Sequence, residues 1–243
     1  MAMEWDAATY DRIADPQERW GLVVLDRLAL RGDERVLDAG CGTGRVTAHL
    51  VRRLPRGRVV ALDGSAAMLE HARLRLGDRV EYLHADLAVP LPIDPPVDAV
   101  FSTATFHWLA DHDSLFAHLA AIVRPGGALV AQCGGEGNVA GPLAAAEALG
   151  VTSDLARNFA TPADTGRRLA AAGFGDIWTW LQPESATFAT REDLEAFLLT
   201  VVLRYHVEGM ADDQRLQFAR AVADRLPGGA IDYVRLNILA RRR

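Results

Sequence analysis

The most constraining feature of the chain is a glycine-rich turn that joins a short apolar strand to a helix. Residues 35–45 read Arg-Val-Leu-Asp-Ala-Gly-Cys-Gly-Thr-Gly-Arg, and apolar residues continue the pattern at helical spacing through Val46, Leu50 and Val51. Glycine lets the backbone turn sharply and approach a ligand with no Cβ in the way. The N–H groups that open the following helix then face that ligand. The stretch therefore predicts a ligand-binding turn at the end of a strand.

The spacing of the glycines indicates which ligand the turn accepts. Gly40, Gly42 and Gly44 alternate with other residues, whereas a dinucleotide fingerprint requires its third glycine at the position of Arg45. Asp38 lies two residues before the first glycine, where its negative charge would oppose a pyrophosphate. The turn therefore favours a ligand that carries a cationic group.

Acidic residues also follow the next two predicted strands. The apolar strand 59–62 ends at Asp63, about 20 residues beyond the turn, where a carboxylate accepts hydrogen bonds from the ribose of an adenosine cofactor. The third strand, 80–83, is followed by Asp86 and Leu87. The Asp86 carboxylate and the Leu87 N–H can together recognise an adenine edge, and the alternative is that Asp86 caps a surface turn.

Together, the glycine turn and the three acidic strand ends resemble the class I S-adenosylmethionine-dependent methyltransferases over residues 35–134. The resemblance implies an α/β fold, a Rossmann-like seven-stranded sheet of order 3-2-1-4-5-7-6 with helices on both faces and an antiparallel seventh strand. It implies S-adenosylmethionine as cofactor and S-adenosylhomocysteine as product. The cofactor residues that it implies are Asp38 for the methionine ammonium, Gly40, Gly42 and Gly44 for the loop, Asp63 for the ribose, Asp86 and Leu87 for the adenine, Met68 packed on the adenine, and Gly64 and Thr103 nearby.

Two of these elements also have an ordinary structural interpretation. Ser65 is predicted to cap the helix that carries Met68, and a methionine at that spacing is commonly core filler.

The proline-rich loop 90–96 and the strand 97–101 follow, and a helix with Leu115 and Leu119 on one face leads to strand five at 128–132.

The segment after the fourth strand, which contains His107 and Trp108, resembles that of small-acid carboxyl methyltransferases of the trans-aconitate and juvenile hormone acid type. The resemblance implies that both residues line the substrate pocket and that His107 donates a hydrogen bond to the acid. Candidates for holding the far end of an anion are Arg204, Tyr205 and His206. In the alternative, His107 or His206 is the general base for methylation of a hydroxyl or an amine. His107 packing structurally at its helix remains a third possibility.

Several other activities are disfavoured by what the sequence lacks. All 26 positively charged side chains are arginine, which excludes Schiff-base lysine chemistry and a Walker A loop. A nicotinamide-dependent oxidoreductase is disfavoured by Arg45, Asp38 and the missing lysine. The Asp-Pro-Pro at Asp94 precedes the fourth strand, so it does not match an amino-methylating motif, and no acidic metal-binding motif follows that strand. No metal is predicted, and a cofactor-binding protein without catalysis remains a further alternative.

Composition narrows the partners and the compartment. The net charge of −6 argues against nucleic-acid binding, and no apolar run is long enough to span a membrane. The polar start of the chain does not resemble a secretory signal, so we predict a cytoplasmic protein that acts on a small molecule. Cys41 and Cys133 are predicted to be reduced, and the basic run 241–243 is predicted to be a solvated tail. The sequence does not predict an oligomeric state.

The predicted organisation is a core with additions at its two ends. Residues 1–30 form a helical lid whose Tyr10 and Trp20 either pack on the core or close over the cofactor, since aromatic faces suit a sulfonium. Residues 31–189 form the cofactor-binding core. Residues 190–227 form a helical cap that Thr190 begins, a helical pair inserted between the last two strands. Residues 228–243 add the last strand and the basic tail.

Overall fold

A computed structural model of the chain describes residues 15–153 and 157–243. In these residues, strands β1 to β7 have the bounds Arg35–Ala39, Arg58–Asp63, Glu81–His84, Val97–Thr103, Val123–Gly134, Phe174–Ala186 and Ile231–Arg242. They form one sheet in the order β3-β2-β1-β4-β5-β7-β6. Strands β1 to β5 are parallel, and β7 runs antiparallel to both β5 and β6. The predicted fold class, strand order and direction of the seventh strand are confirmed.

The α-helices of the described residues alternate with these strands and cover both faces of the sheet. In chain order, α1 to α8 have the bounds Asp15–Leu25, Arg45–Arg53, Ala66–Leu76, His112–Ile122, Ala140–Ala148, Pro162–Ala171, Arg191–Phe197 and Asp212–Ala223. Ser65 caps α3 by accepting the N–H of Met68 at 3.3 Å, and Thr190 caps α7 by accepting that of Asp193 at 3.1 Å. Both predicted caps are confirmed.

The apolar residues of the central strands are buried on both faces of the sheet. Successive side chains of a strand point to opposite faces. Val36 accordingly packs with Leu25 and Leu50 of α1 and α2, whereas Leu37 packs with Leu119 of α4. All four of these leucines and Val36 are inaccessible to solvent. This burial on both sides explains why the central strands are continuous apolar runs in the sequence.

The cap predicted over 190–227 contains two α-helices, and the chain between them is not regular α-helix. Helix α7 passes into a π-helical turn, Leu198–Val202, and a 3-10 turn, Arg204–His206, before α8 begins. The Leu203 N–H donates to the Leu198 carbonyl at 2.6 Å, and Gly209 has a φ of +81°. Apolar periodicity did not reveal the break because both halves pack on one cluster, which includes Phe197 and Phe218. The break lets residues 199–205 line a cavity.

The prediction of a solvated basic tail is also wrong. Strand β7 continues to Arg242, and β5 and β6 pair with it on its two sides. Arg241 Nη1 donates to the Gly126 carbonyl and Arg242 Nε to the Ala120 carbonyl, each at 3.0 Å. Arginine side chains can satisfy carbonyl groups while their stems pack along the sheet, so a charged sequence does not exclude a strand.

Cys41 and Cys133 are free thiols, as predicted. No helix among residues 15–153 and 157–243 has the length and apolar character that crossing a bilayer requires.

Candidate active site

A cavity of about 990 Å³ opens at the carboxyl ends of the central strands. It lies where β2 and β4 flank β1, the point at which the strand order reverses and at which open α/β sheets bind their ligands. One side of the cavity is formed by the glycine turn and the ends of β2, β3 and β4. The other side is formed by the segment after β4, the turns between α7 and α8, and the start of β7.

The glycine turn has the backbone that its sequence predicts. Gly40, Gly42 and Gly44 have φ values of +83°, +55° and +79°, a region that side chains disfavour. The Gly40 N–H donates to the Leu62 carbonyl at 2.8 Å, and a Cβ on Gly40 would lie 2.1 Å from Thr105 Oγ1. Gly40 and Gly42 line the cavity.

Gly44 has a different role from the other two glycines. It precedes α2, and a Cβ there would lie 3.0 Å from Leu76 Cδ1 and 3.3 Å from Ala72. It does not line the cavity. Gly44 therefore permits close packing of α2 against α3, which corrects its assignment as a cofactor contact.

Asp63 lines the cavity at the end of β2 and organises the turn beside it. Its Oδ2 accepts the Gly42 N–H and its Oδ1 accepts the Ser65 N–H, both at 2.9 Å. Burial raises the pKa of Asp63, and the two N–H groups act in the opposite direction by stabilising the carboxylate. Each oxygen keeps a further lone pair for a ligand hydroxyl.

Asp38 lies beneath the turn and not on the cavity surface. It is buried and accepts a hydrogen bond from Thr47 Oγ1 at 2.7 Å. Burial raises the pKa of Asp38 to about 7, and the nearby charge of Asp63 adds to the rise. The structure therefore does not show the predicted direct exposure of Asp38 to a ligand, and its charge acts from below the loop.

The residues predicted for the adenine do lie together. Met68, Asp86 and Leu87 all line the cavity, as do Gly64 and Thr103. Met68 and Leu87 are buried and offer an apolar surface. Asp86 Oδ1 also accepts the Ala88 N–H at 2.9 Å, so the turn-capping alternative describes one of its oxygens.

His107 lies in a 3-10 turn, Phe106–Trp108, where it is buried and lines the cavity. Its Nδ1 accepts the Gly134 N–H at 3.2 Å, which assigns the ring proton to Nε2. Burial lowers the pKa of His107 well below its usual value, and the positive charges of Arg235 and Arg157 add to this. His107 is therefore a neutral imidazole that can donate from Nε2.

Aromatic rings surround this histidine. The His107 ring lies 4.8 Å from that of Trp108 and 5.9 Å from that of Phe159, measured between centroids, and Tyr205 lies 6.0 Å from Trp108. Trp108, Phe159 and Tyr205 all line the cavity. The predicted grouping of His107 with Trp108 is present, and Phe159 was missed by the sequence analysis.

Two cavity-lining arginines were also missed. Arg157 lies 4.9 Å from the centre of the Trp108 ring and donates to the Val202 carbonyl, and burial lowers its pKa. Arg235 is 2% exposed and lies on β7, with Nε 3.3 Å from Gln132 Oε1. A charged residue within an apolar strand was the available signal for Arg235. No comparable signal marks Arg157.

The predicted substrate residues are divided between two environments. Arg204 and Tyr205 line the cavity, whereas His206 does not. His206 is half-buried, burial lowers its pKa, and its Nδ1 has no hydrogen-bond partner among the described residues. His206 is therefore not among the residues that line the cavity, unlike Arg204 and Tyr205.

Of the two predicted alternatives for Trp20, the structure shows packing on the core and not closure over the cavity, and Tyr10 lies outside the described residues. Trp20 is buried behind the cavity wall, where its ring lies 4.8 Å from that of Tyr233 and 5.0 Å from the Arg235 guanidinium. It therefore supports two cavity-lining residues without facing the cavity. Among the described residues, no cluster of three or more His, Cys, Asp or Glu side chains could hold a metal ion.

The sheet order and the position of the cavity define the Rossmann-like methyltransferase fold. Solved structures with this architecture include the [4+2]-cyclase SpnF, with a TM-score of 0.62, 24% identity, and coverage of 93% of this chain and 81% of that one. Phosphoethanolamine N-methyltransferase 2 from Haemonchus contortus has a TM-score of 0.62 and 19% identity, and the match covers 98% of this chain and 57% of that one.

Sequence comparison identifies the part of the chain that carries the resemblance. Residues 36–127 match the family model of a methyltransferase domain. Trans-aconitate 2-methyltransferase from Azoarcus sp. (strain BH72) is 43% identical over 128 residues, which is 53% of this chain and 50% of that protein. The enzyme of that name from Methylobacterium nodulans is 42% identical over 129 residues, 53% of this chain and 49% of that protein. The matches span about half the length of these relatives, and they confirm the predicted resemblance to methyltransferases of the trans-aconitate type.

Proposed function

We propose that the protein transfers a methyl group from S-adenosylmethionine to a carboxylate of a small organic acid. The observation that carries this proposal is the neutral His107, whose Nδ1 accepts a backbone N–H so that Nε2 is left as a donor beside the cavity. The names of the matched relatives support the same acceptor chemistry and make trans-aconitate the first acid to test.

The cavity suits the proposed cofactor at each of its ends. We assign Asp63 to the ribose hydroxyls, Asp86 and Leu87 to the adenine edge, and Met68 to the adenine face. We assign the methionine portion to the turn at Gly40 and Gly42, which both line the cavity, and no protein atom lies within 4 Å of where a Cβ on Gly42 would be. When bound, the cofactor supplies an electrophilic methyl group on a sulfonium, and displacement by a carboxylate oxygen yields a methyl ester and S-adenosylhomocysteine without a proton transfer.

The protein's own residues then have to bind, orient and dehydrate the acid. His107 Nε2 donates a hydrogen bond to it, and Arg157 and Arg235 provide positive charge on the same side of the cavity. Trp108 and Tyr205 supply apolar walls. A carboxylate is ionised at neutral pH, so none of these residues is required to remove a proton.

Methylation of a hydroxyl or an amine by a histidine base is less well supported. A general base needs a free lone pair that faces the acceptor. The Nδ1 lone pair of His107 already accepts the Gly134 N–H, and His206 lies outside the cavity lining. The activity test distinguishes this general-base chemistry from methylation of a carboxylate.

The pH dependence of kcat separates the two chemistries. With S-adenosylmethionine and acid both saturating, we expect kcat to change less than about twofold between pH 6 and 9, since neither the carboxylate nor the neutral His107 titrates there. The measurement is initial rates with trans-aconitate, beside panels of other small acids, alcohols and amines. A tenfold rise per pH unit with an alcohol or amine, and no product from any acid, would replace the carboxylate proposal with the general-base mechanism.

Asp38 makes cofactor binding dependent on pH in a different way. Its pKa of about 7 lies above the usual 3.8, so in the ligand-free protein its burial lowers stability increasingly as pH rises from 3.8 towards 7. A cationic ammonium near the loop favours the ionised carboxylate. The dissociation constant of S-adenosylhomocysteine should therefore rise by up to about tenfold per pH unit below pH 7 and level off above it.

This dependence is measured by calorimetric titration between pH 5.5 and 8.5 in buffers of different ionisation enthalpy, which reveal the released proton. The isosteric variant Asp38→Asn should bind more weakly at pH 8 and lose the dependence. An unchanged slope in that variant would show that another group is responsible.

A further inference from the structure

Asn138 is a buried residue of the cavity wall that has no role in the function proposed above. It is 3% exposed, lies between β5 and α5, and lines the cavity. Its Oδ1 accepts the Val234 N–H at 3.0 Å, which fixes the orientation of the amide and leaves Nδ2 as the group available to a ligand. Among the described residues, no acceptor forms a hydrogen bond with Nδ2. Because Asn138 lines the cavity, this donor is open to a ligand there.

The backbone around Asn138 is held in place. The Gly135 N–H donates to the Val234 carbonyl at 2.9 Å, and the Val139 N–H donates to the Asp232 carbonyl at 2.8 Å, so this segment is bonded to the start of β7 on both sides of Asn138. Val139 has a φ of +53°, an unfavourable conformation for a β-branched residue. The amide donor is therefore presented from a constrained backbone, and strain of this kind is concentrated at functional sites.

Gly134 brings Asn138 and His107 together. Its N–H donates to His107 Nδ1 at 3.2 Å, and a Cβ on the same residue would lie 2.7 Å from Asn138 Nδ2. Both side chains line the cavity, and each has one atom fixed by a backbone N–H. What each offers to the cavity is consequently a donor, Nε2–H from the histidine and Nδ2–H from the amide.

We propose that Asn138 is a specificity-determining residue that donates, together with His107, to the carboxylate of the acceptor. This assignment rests on the proposed function and adds to it the group that the site selects. Two donors that form no hydrogen bond with an acceptor among the described residues match a carboxylate, which only accepts hydrogen bonds. A carboxamide would place its own N–H groups against them and leave buried polar groups unpaired. The site therefore selects a carboxylate over the amide of the same acid.

The test is the substitution Asn138→Asp, which keeps an oxygen for the Val234 N–H and replaces the donor by a charged acceptor. We expect the KM for trans-aconitate to rise at least tenfold, while the dissociation constant of S-adenosylhomocysteine stays within twofold. The preference for trans-aconitate over its triamide, measured by competition, should fall at least tenfold. A general loss of packing would weaken both ligands and would not selectively lower this preference.

The control variant is Asn158→Asp, which makes the same chemical change at a side chain that does not line the cavity and bonds the Ala110 carbonyl. It should keep both the KM and the preference. If Asn138→Asp does not fold, Asn138→Leu removes the donor without adding charge and is judged by the same rise in KM.

The outcomes separate this assignment from the proposed function. A folded Asn138 variant with unchanged KM and unchanged preference overturns the assignment and leaves carboxyl methylation intact. Failure of the wild-type protein to methylate trans-aconitate or any other small acid overturns the proposed function, and the assignment with it.

Discussion

The substitution Gly40→Ala is expected to weaken S-adenosylhomocysteine binding by more than about 100-fold. The added Cβ would lie 2.1 Å from Thr105 Oγ1 and 2.8 Å from Thr105 Cβ, distances at which atoms cannot coexist. Thr105 is poorly placed to move, because its Oγ1 donates to the Thr103 carbonyl at 3.0 Å. The φ of +83° adds a strain of about 1–3 kcal/mol. The turn would therefore have to shift away from the cavity.

Calorimetric titration with S-adenosylhomocysteine measures this effect, and thermal unfolding reports the cost to the fold. Gly77→Ala is the matched control, since Gly77 also has a positive φ, +58°, but a Cβ there has open space around it and lies outside the cavity. It should lose about 1–3 kcal/mol of stability from its positive φ and keep full affinity. Affinity within threefold of wild type for Gly40→Ala would mean that this turn does not bind the cofactor.

Asp63→Ala is expected to weaken binding of the same ligand by about 1–3 kcal/mol, because ribose hydroxyls would lose their acceptor. The structure adds a second cause. Asp63 also accepts the N–H groups of Gly42 and Ser65, so its removal loosens the turn and the start of α3 together. Unlike Gly40→Ala, this variant introduces no collision, and its effect should therefore be smaller.

Asp98→Ala provides the comparison for Asp63→Ala. Asp98 accepts the Arg35 N–H at 2.7 Å and pairs with Arg124 outside the cavity lining, so it has a similar structural role without contact with the ligand. We expect it to lower stability and leave affinity unchanged. A folded Asp63→Ala protein that binds as tightly as wild type would remove the ribose assignment.

The residues that we propose for the cofactor could largely be predicted from the sequence. Each acidic strand end is fixed by local features, an apolar run followed within a few residues by Asp63 or Asp86, and the sheet brings those ends to one edge. The glycine turn and the Ser65 cap are equally local, because each depends on the backbone preference of a few adjacent residues. These features could be predicted without knowledge of contacts between distant residues. The local sequence did not show, however, that Gly44 has a different role from Gly40 and Gly42.

The acceptor half was decided by tertiary structure. The state of His107 depends on the N–H of Gly134, and the donor of Asn138 is oriented by Val234, 96 positions away. Arg235 reaches the cavity only because β7 inserts between β5 and β6. The spacing of apolar residues along a short segment carries no information about contacts between residues so far apart in the chain. It also did not reveal the π-helical turn at Leu198–Val202. The sequence by itself determined the fold and brought to one cavity most of the residues that we propose for the cofactor. Which side chains face the acceptor was settled by long-range strand pairing and packing, since these alone set the partners that orient each polar group.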